Sequence, residues 1–161
     1  MYGCKTGKGL KCYSFPIFRT IPRANITLGD HVNMGINLTI EVTPKGHITI
    51  GDHTDLTQNI LISSACSIQI GHNVMIAERV SIRDTTHTIA KDKLIMEQPS
   101  VSAPIVIEDD VWIGANSIIL QGTSILKGSV IAANSTLIAG TVTEEYGIYA
   151  GNPARLIGKR K

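Results

Sequence analysis

An apolar residue recurs every six positions along most of this chain. The series runs Leu28, Met34, Ile40; Ile50, Leu56, Ile62; Ile70, Ile76, Ile82; then Ile107, Ile113, Ile119, Ile125, Ile131 and Leu137. Two residues before each stands a second series of smaller or β-branched residues, from Ile26 and Val32 through Val74 and Val80 to Ser117, Thr123, Ser129 and Ser135. Residues two apart on a strand share a face, so both series point inward. Turn-forming residues follow in "LGDH", "IGDH" and "IGHN", as tight corners require.

The register breaks after the third hexad of a set, with steps of ten residues from Ile40 to Ile50, eight from Ile62 to Ile70 and twenty-five from Ile82 to Ile107. If three hexads close one triangular coil, every insertion leaves from the same corner. That coincidence predicts an all-β, three-sided parallel β-helix of about five coils, roughly 25 Å long. A β-sandwich would space its strands by about eight to twelve residues and would not hold a register of six. The expected organisation is a basic N-terminal segment over 1–25, a β-helix over 26–161 with a long loop at 86–104, and a C-terminal segment at 141–161.

Composition narrows the function. The 161 residues suit one domain, and 15 basic against 13 acidic residues give no excess of charge for nucleic acid. Aromatics are 4%, too few to build stacking platforms for bases. Cys4, Cys12 and Cys66 lack metal-ligand spacing and read as free thiols of a reducing compartment, so a cytoplasmic protein with no integral membrane segment is expected. The first twenty-five residues hold five basic residues and no acid. They read as a cap over the open end of the solenoid, or as a contact for a phosphorylated or lipid-linked acceptor.

The hexads, the long loop, "VWIGANSIIL" and "YAGNPARLIGK", in this order, resemble the hexapeptide-repeat acyltransferases. The likeness covers the chain from about Ile26 onward, and is greatest to the branch that holds maltose, galactoside, serine and capsular-polysaccharide O-acetyltransferases. It implies a left-handed β-helix, although general crossover rules favour the right-handed form. It also implies a homotrimer with acetyl-CoA lying between neighbouring prisms, and a catalytic histidine where the loop departs, the position of His87. The γ-class carbonic anhydrases share that fold and bind zinc, but their closely spaced histidine pair has no counterpart beside His87. His31, His53 and His72 stand at what read as equivalent corners, and no metal is expected.

Acetyl transfer from a thioester to a hydroxyl needs a base, and imidazole titrates in the neutral range. His87 is the expected general base, with Asp84 or a backbone carbonyl fixing its tautomer. The oxyanion calls for an N–H donor, for which a backbone amide near Ala115 is the candidate. The resemblance places Trp112, Ala115, Ala133, Arg155 and Lys159 around the coenzyme. Candidate acceptor contacts are Thr57 and Asn59. Thr57 and Ala65 stand where sugar acetyltransferases carry an Asn and an Asp, and Ile138 and Ala139 replace a Lys and an Asp of many relatives. Those departures, and the missing helical N-terminal segment, point from maltose, galactose and serine toward a surface-glycan precursor. The alternatives are an N-acetyltransferase of an amino-sugar nucleotide and a non-catalytic β-helix that binds a partner.

Overall fold

The computed structural model describes residues 3–161; Met1 and Tyr2 of the N-terminal segment lie outside the described residues. Each coil contributes one short strand to each of three faces. Coil 1 holds β1 (Cys4–Thr6), β2 (Lys11–Cys12) and β3 (Ile17–Phe18), and coil 2 holds β4 (Ile26–Leu28), β5 (Asn33–Met34) and β6 (Thr39–Val42). Coil 3 holds β7 (His47–Ile50), β8 (Asp55–Leu56) and β9 (Leu61–Ser64), and coil 4 holds β10 (Ser67–Ile70), β11 (Met75–Ile76) and β12 (Ser81–Arg83). The loop then forms an antiparallel ribbon of β13 (Thr85–His87) and β14 (Ser100–Ser102). Coil 5 follows with β15 (Ile105–Ile107), β16 (Trp112–Ile113) and β17 (Ile118–Ile119), and coil 6 with β18 (Ser124–Ile125), β19 (Val130–Ile131) and β20 (Thr136–Leu137). Strands β21 (Gly147–Gly151) and β22 (Ala154–Lys159) close the end.

Stacking is in register and parallel. Face 1 runs β1-β4-β7-β10-β15-β18, face 2 runs β2-β5-β8-β11-β16-β19-β21, and face 3 runs β3-β6-β9-β12-β17-β20. Both inward series are buried throughout, from Ile26 and Leu28 to Ser135 and Leu137. Where the smaller series turns polar, its hydroxyls are bonded: Ser117 donates to the Ala132 carbonyl at 3.1 Å and Thr123 to that of Leu120 at 2.7 Å. Buried hydroxyls are tolerated only on such terms.

The solenoid has about seven turns, not five. Residues 4–18, part of the segment set apart from the β-helix by the sequence, form a coil of their own, with Cys4 paired to Ile26 and Phe18 to Ile40. Its inward positions are Cys4, Thr6, Leu10, Cys12, Pro16 and Phe18. An end coil covers its neighbour on one side only, so it needs no full apolar series, and Pro16 suits an edge strand whose N–H has no partner to meet. A partial seventh turn comes from the bridge between Ser124 and Val142 and the pairing of β21 on β19. β22 returns antiparallel along β21 and covers that edge.

Every insertion leaves from the corner between faces 3 and 1, and side chains from neighbouring turns hold them. Asn25 is buried and donates to the carbonyls of Thr43 and Gly46 at 3.0 and 2.8 Å. Among the described residues no helix is long and apolar enough to cross a membrane.

Candidate functional site

The corners account for the backbone conformation of several polar residues. His31, His53, Asn59 and Asn116 all take φ between 55° and 59°, the left-handed region that short polar side chains tolerate. Asn59, the expected acceptor contact, stands at such a turn, and its Oδ1 accepts from Asn37 Nδ2 at 3.3 Å. His31 and His53 stack with ring centroids 5.0 Å apart. His72 does not join them, which corrects the reading of three equivalent corners. It sits one residue earlier, in line with Asp30, Asp52 and Asp109, and its Nδ1 accepts the Asp52 amide proton at 2.9 Å. Each member of that line accepts from the turn before it, as Asp109 does from the His72 amide at 2.7 Å. A groove of about 700 Å³ lies beside this ladder on face 1, and His87 is not part of its lining. Its glycines make room for the ladder itself: a Cβ on Gly29 or Gly71 would collide with the Asp52 or Asp109 carboxylate. Among the described residues no three His, Cys, Asp or Glu side chains are grouped to hold a metal ion.

His87 ends β13, is exposed, and pairs across the ribbon with Ser100. The ribbon is tied at its far end by Gln98, which accepts from the Ala90 amide at 2.7 Å and donates to the Ala90 and Lys93 carbonyls at 2.9 Å. Along it Ile89, Leu94, Ile95 and Met96 stand exposed, an unusual number of large apolar groups for so short a segment.

The hydrogen bonds of the Asp84 side chain run away from His87. Its carboxylate is buried and holds the insertion of the preceding turn: Ser64 Oγ donates to Oδ2 at 2.7 Å, the Ala65 amide to Oδ1 at 2.7 Å and the Cys66 amide to Oδ2 at 2.9 Å. Its own carbonyl accepts from Ala103, where the ribbon rejoins the prism. Asp84 therefore clamps the foot of the loop. Ala65, which stands where sugar acetyltransferases carry an Asp, is engaged by that clamp through its amide.

The other candidates lie elsewhere on the prism. Ala115 and Ala133 occupy the same position of successive turns at the corner between faces 2 and 3, where the Asn134 amide donates to the Ala115 carbonyl. Arg155 pairs in register with Ala150, which follows Ala132 one turn further, so it stands at the same corner, one position from the Ala115–Ala133 column. Trp112 is half exposed on face 2, between Met75 and Val130. Lys159 is not free: its Nζ lies 2.7 Å from Glu144 Oε2, and that hydrogen bond raises its pKa above the ordinary lysine value. Arg160 bonds Asp110 Oδ2 at 2.8 Å and lies over the Tyr146 ring. Arg155, by contrast, donates to its neighbour's carbonyl on Ala154. Burial pushes the Cys4 and Cys12 thiols up, which lowers their thiolate fraction and argues against an acyl-cysteine.

The small-residue strip and the foot of the loop are thus separated by the width of face 3. One hexad spans roughly 20 Å at about 3.3 Å per residue. Within one chain the expected donor contacts and His87 flank the same face from its two edges.

The chain is thus a parallel β-helix with a ribbon at one corner and a strip of small residues at the next, and comparison with known proteins supplies its class. A family model described as the hexapeptide repeat of succinyl-transferase matches residues 104–139. WbbJ of Escherichia coli K12, described as a candidate lipopolysaccharide-biosynthesis O-acetyl transferase, is 32% identical over 84% of this chain and 72% of its own. The hexapeptide-repeat acetyltransferase VCA0836 of Vibrio cholerae, solved with acetyl coenzyme A, is 29% identical with a TM-score of 0.67, over 83% of this chain and 70% of its own. AntD of Bacillus cereus, an N-acyltransferase solved as a point mutant with dTDP and coenzyme A, shares the fold at a TM-score of 0.82 and 19% identity, over 98% of this chain and 84% of its own. Several other relatives are longer, and this chain spans 25% to 49% of their length. The chain belongs to the hexapeptide-repeat acyltransferase family. It is an acyltransferase.

Proposed function

We propose that this enzyme moves an acetyl group from acetyl-CoA to a hydroxyl of a sugar or surface-glycan precursor, in a homotrimer with sites between subunits. The observation that carries the reading is the placement of His87 on a ribbon that exposes Ile89, Leu94, Ile95 and Met96 at the corner opposite face 2. Fully burying a side chain of that size is worth about 1.5–3 kcal/mol, so a neighbouring copy is the natural cover. The same contact brings His87 of one chain to the Ala115–Ala133–Arg155 strip of the next. The relatedness to WbbJ favours a hydroxyl of a surface-glycan precursor as the acceptor.

In this mechanism neutral His87 accepts the hydroxyl proton as the acceptor oxygen attacks the thioester carbon. The tetrahedral intermediate collapses with cleavage of the carbon–sulfur bond, and the imidazolium returns its proton to the departing sulfur. The Gly114 and Asn116 amides already donate to the carbonyls of Ile131 and Glu78 at 2.7 and 2.9 Å, which narrows the oxyanion donor to the N–H of Ala115. Arg155 meets the coenzyme phosphates.

Two results follow. Acetyl-CoA at about 100 times its dissociation constant adds about 2.7 kcal/mol, a rise of roughly 5–10 °C in unfolding midpoint for a chain of this size. Arg155→Ala reduces the rise, while Lys159→Ala, whose charge is already paired with Glu144, leaves it nearly intact. An equal loss in both variants would remove the distinction drawn between them. Light scattering gives a mass three times 17.3 kDa. A monomer at micromolar concentration contradicts the shared site.

A further inference from the structure

The first coil carries a charge that the rest of the chain does not. Lys5, Lys8, Lys11, Arg19 and Arg23 are five of the 15 basic residues, and none of the 13 acidic residues falls before Asp30, so the remainder holds ten basic against 13 acidic. Folding spreads these five cations around the whole rim of the prism. Lys5 lies on β1 of face 1 and Lys11 on β2 of face 2, with Lys8 at the corner between them. Arg19 follows β3 of face 3, and Arg23 stands at the corner that returns to face 1. All five are exposed. Arg19 reaches back to Glu41 of coil 2 at 3.4 Å, whereas among the described residues Lys5, Lys8, Lys11 and Arg23 form no ion pair.

An apolar arc completes the same rim. Tyr13, Phe15, Ile17 and Ile21 run from the corner between faces 2 and 3, across face 3, to the corner between faces 3 and 1. Each is more than half exposed, Ile21 at 86%. Phe15 meets Phe18 edge-on with ring centroids 6.0 Å apart, which holds its ring at the outside of the coil. One coil is about 4.8 Å tall, so a plane laid across this end of the prism touches cations and apolar groups together. A nucleic-acid duplex would use the cations alone. An anionic bilayer uses both, because its headgroup potential attracts basic side chains while aromatic and aliphatic groups enter the boundary with the acyl chains.

We infer that coil 1 docks this enzyme on the surface of an anionic phospholipid bilayer, as a peripheral contact. The docking itself does not depend on acetyl transfer; the use given to it here rests on that proposed reaction. His87 leaves coil 4, three turns along the axis, so docking sets it about 15 Å above the headgroups, within reach of a glycan anchored in the same bilayer.

Co-sedimentation of the full chain with vesicles tests this, using phosphatidylcholine alone or with one part in three of phosphatidylglycerol. The chain partitions onto the anionic vesicles at least about tenfold more strongly than onto the neutral ones. That preference shrinks several-fold between about 0.1 M and about 0.5 M salt as the Debye length shortens. The triple variant Lys5→Glu, Lys8→Glu, Lys11→Glu loses at least about tenfold in partition, and Phe15→Ser at least about threefold. Both variants keep the trimer mass and the acetyl-CoA-induced rise in midpoint. Equal binding to the two kinds of vesicle, or none to either, overturns the inference. So does Phe15→Ser if it leaves partition unchanged or breaks the trimer, since the apolar arc would then serve no bilayer or would serve a subunit contact. Tighter binding to a DNA duplex than to anionic vesicles overturns it too, as the sign of a general polyanion site. If wild type binds anionic vesicles but shows no acetyl-CoA effect, the proposed reaction fails and the membrane contact stands.

Discussion

Replacing His87 with alanine lowers turnover at least about 100-fold while the acetyl-CoA-induced rise in unfolding midpoint persists. The size follows from the role, since a positioned general base contributes about 10²–10⁴. Survival of the coenzyme effect follows from the placement. His87 is exposed at the end of β13, carries none of the buried core, and in its own chain lies across face 3 from Ala115 and Ala133. The measurement is acetyl transfer to a glycan acceptor at saturating acetyl-CoA, with the midpoint followed on the same preparation. His87→Gln keeps a polar group of similar reach but no base, so it should fall with alanine rather than with wild type. Full turnover in either variant would falsify the mechanism. Loss of turnover together with loss of the coenzyme effect would instead assign His87 to binding.

The prism itself was legible because one face of every short strand is buried. Both inward series are buried at every position named from the sequence, and every insertion emerges at the expected corner. The first coil escaped notice for a physical reason. Its inward residues include Cys4, Thr6 and Cys12, since an end coil has only one neighbour to cover. Its signal was spacing, because Cys4, Ile26 and Ile48 stand in one column at intervals of twenty-two residues. The site was legible only in part. The loop that carries His87 shows as the break in register, while the roles proposed for His87 and for Arg155 in "NPAR" come from the resemblance and not from the repeat. The Lys159–Glu144 pair arises from the antiparallel return of β22, which no hexad encodes. Nor does a sequence show that Thr57 Oγ1 is sealed without a hydrogen-bond partner, which arises only when the turns stack.

Asp84 shows how a residue beside a catalytic candidate can have a different task, and its substitution gives the largest loss of stability expected here. Its carboxylate receives the Ser64 hydroxyl and the Ala65 and Cys66 amides, all at 2.9 Å or less, in a fully buried position. Hydrogen bonds to charged groups contribute about 1.5–3 kcal/mol each, and removing the acceptor leaves buried donors unmet. Because the three bonds act as one unit they do not add fully, and Asp84→Ala should cost about 3–5 kcal/mol. For a chain of this length that lowers the unfolding midpoint by roughly 10 °C or more. Asp84→Asn retains the shape but presents an NH₂ group to at least one N–H donor, so it should recover only part of the loss. The decisive comparison is kinetic. If Asp84 only clamps the turn and the foot of the loop, Asp84→Asn assayed well below its midpoint keeps the pH profile of turnover set by His87. A shifted profile with an unchanged midpoint would return Asp84 to the role of orienting the imidazole, and the clamp would then be incidental.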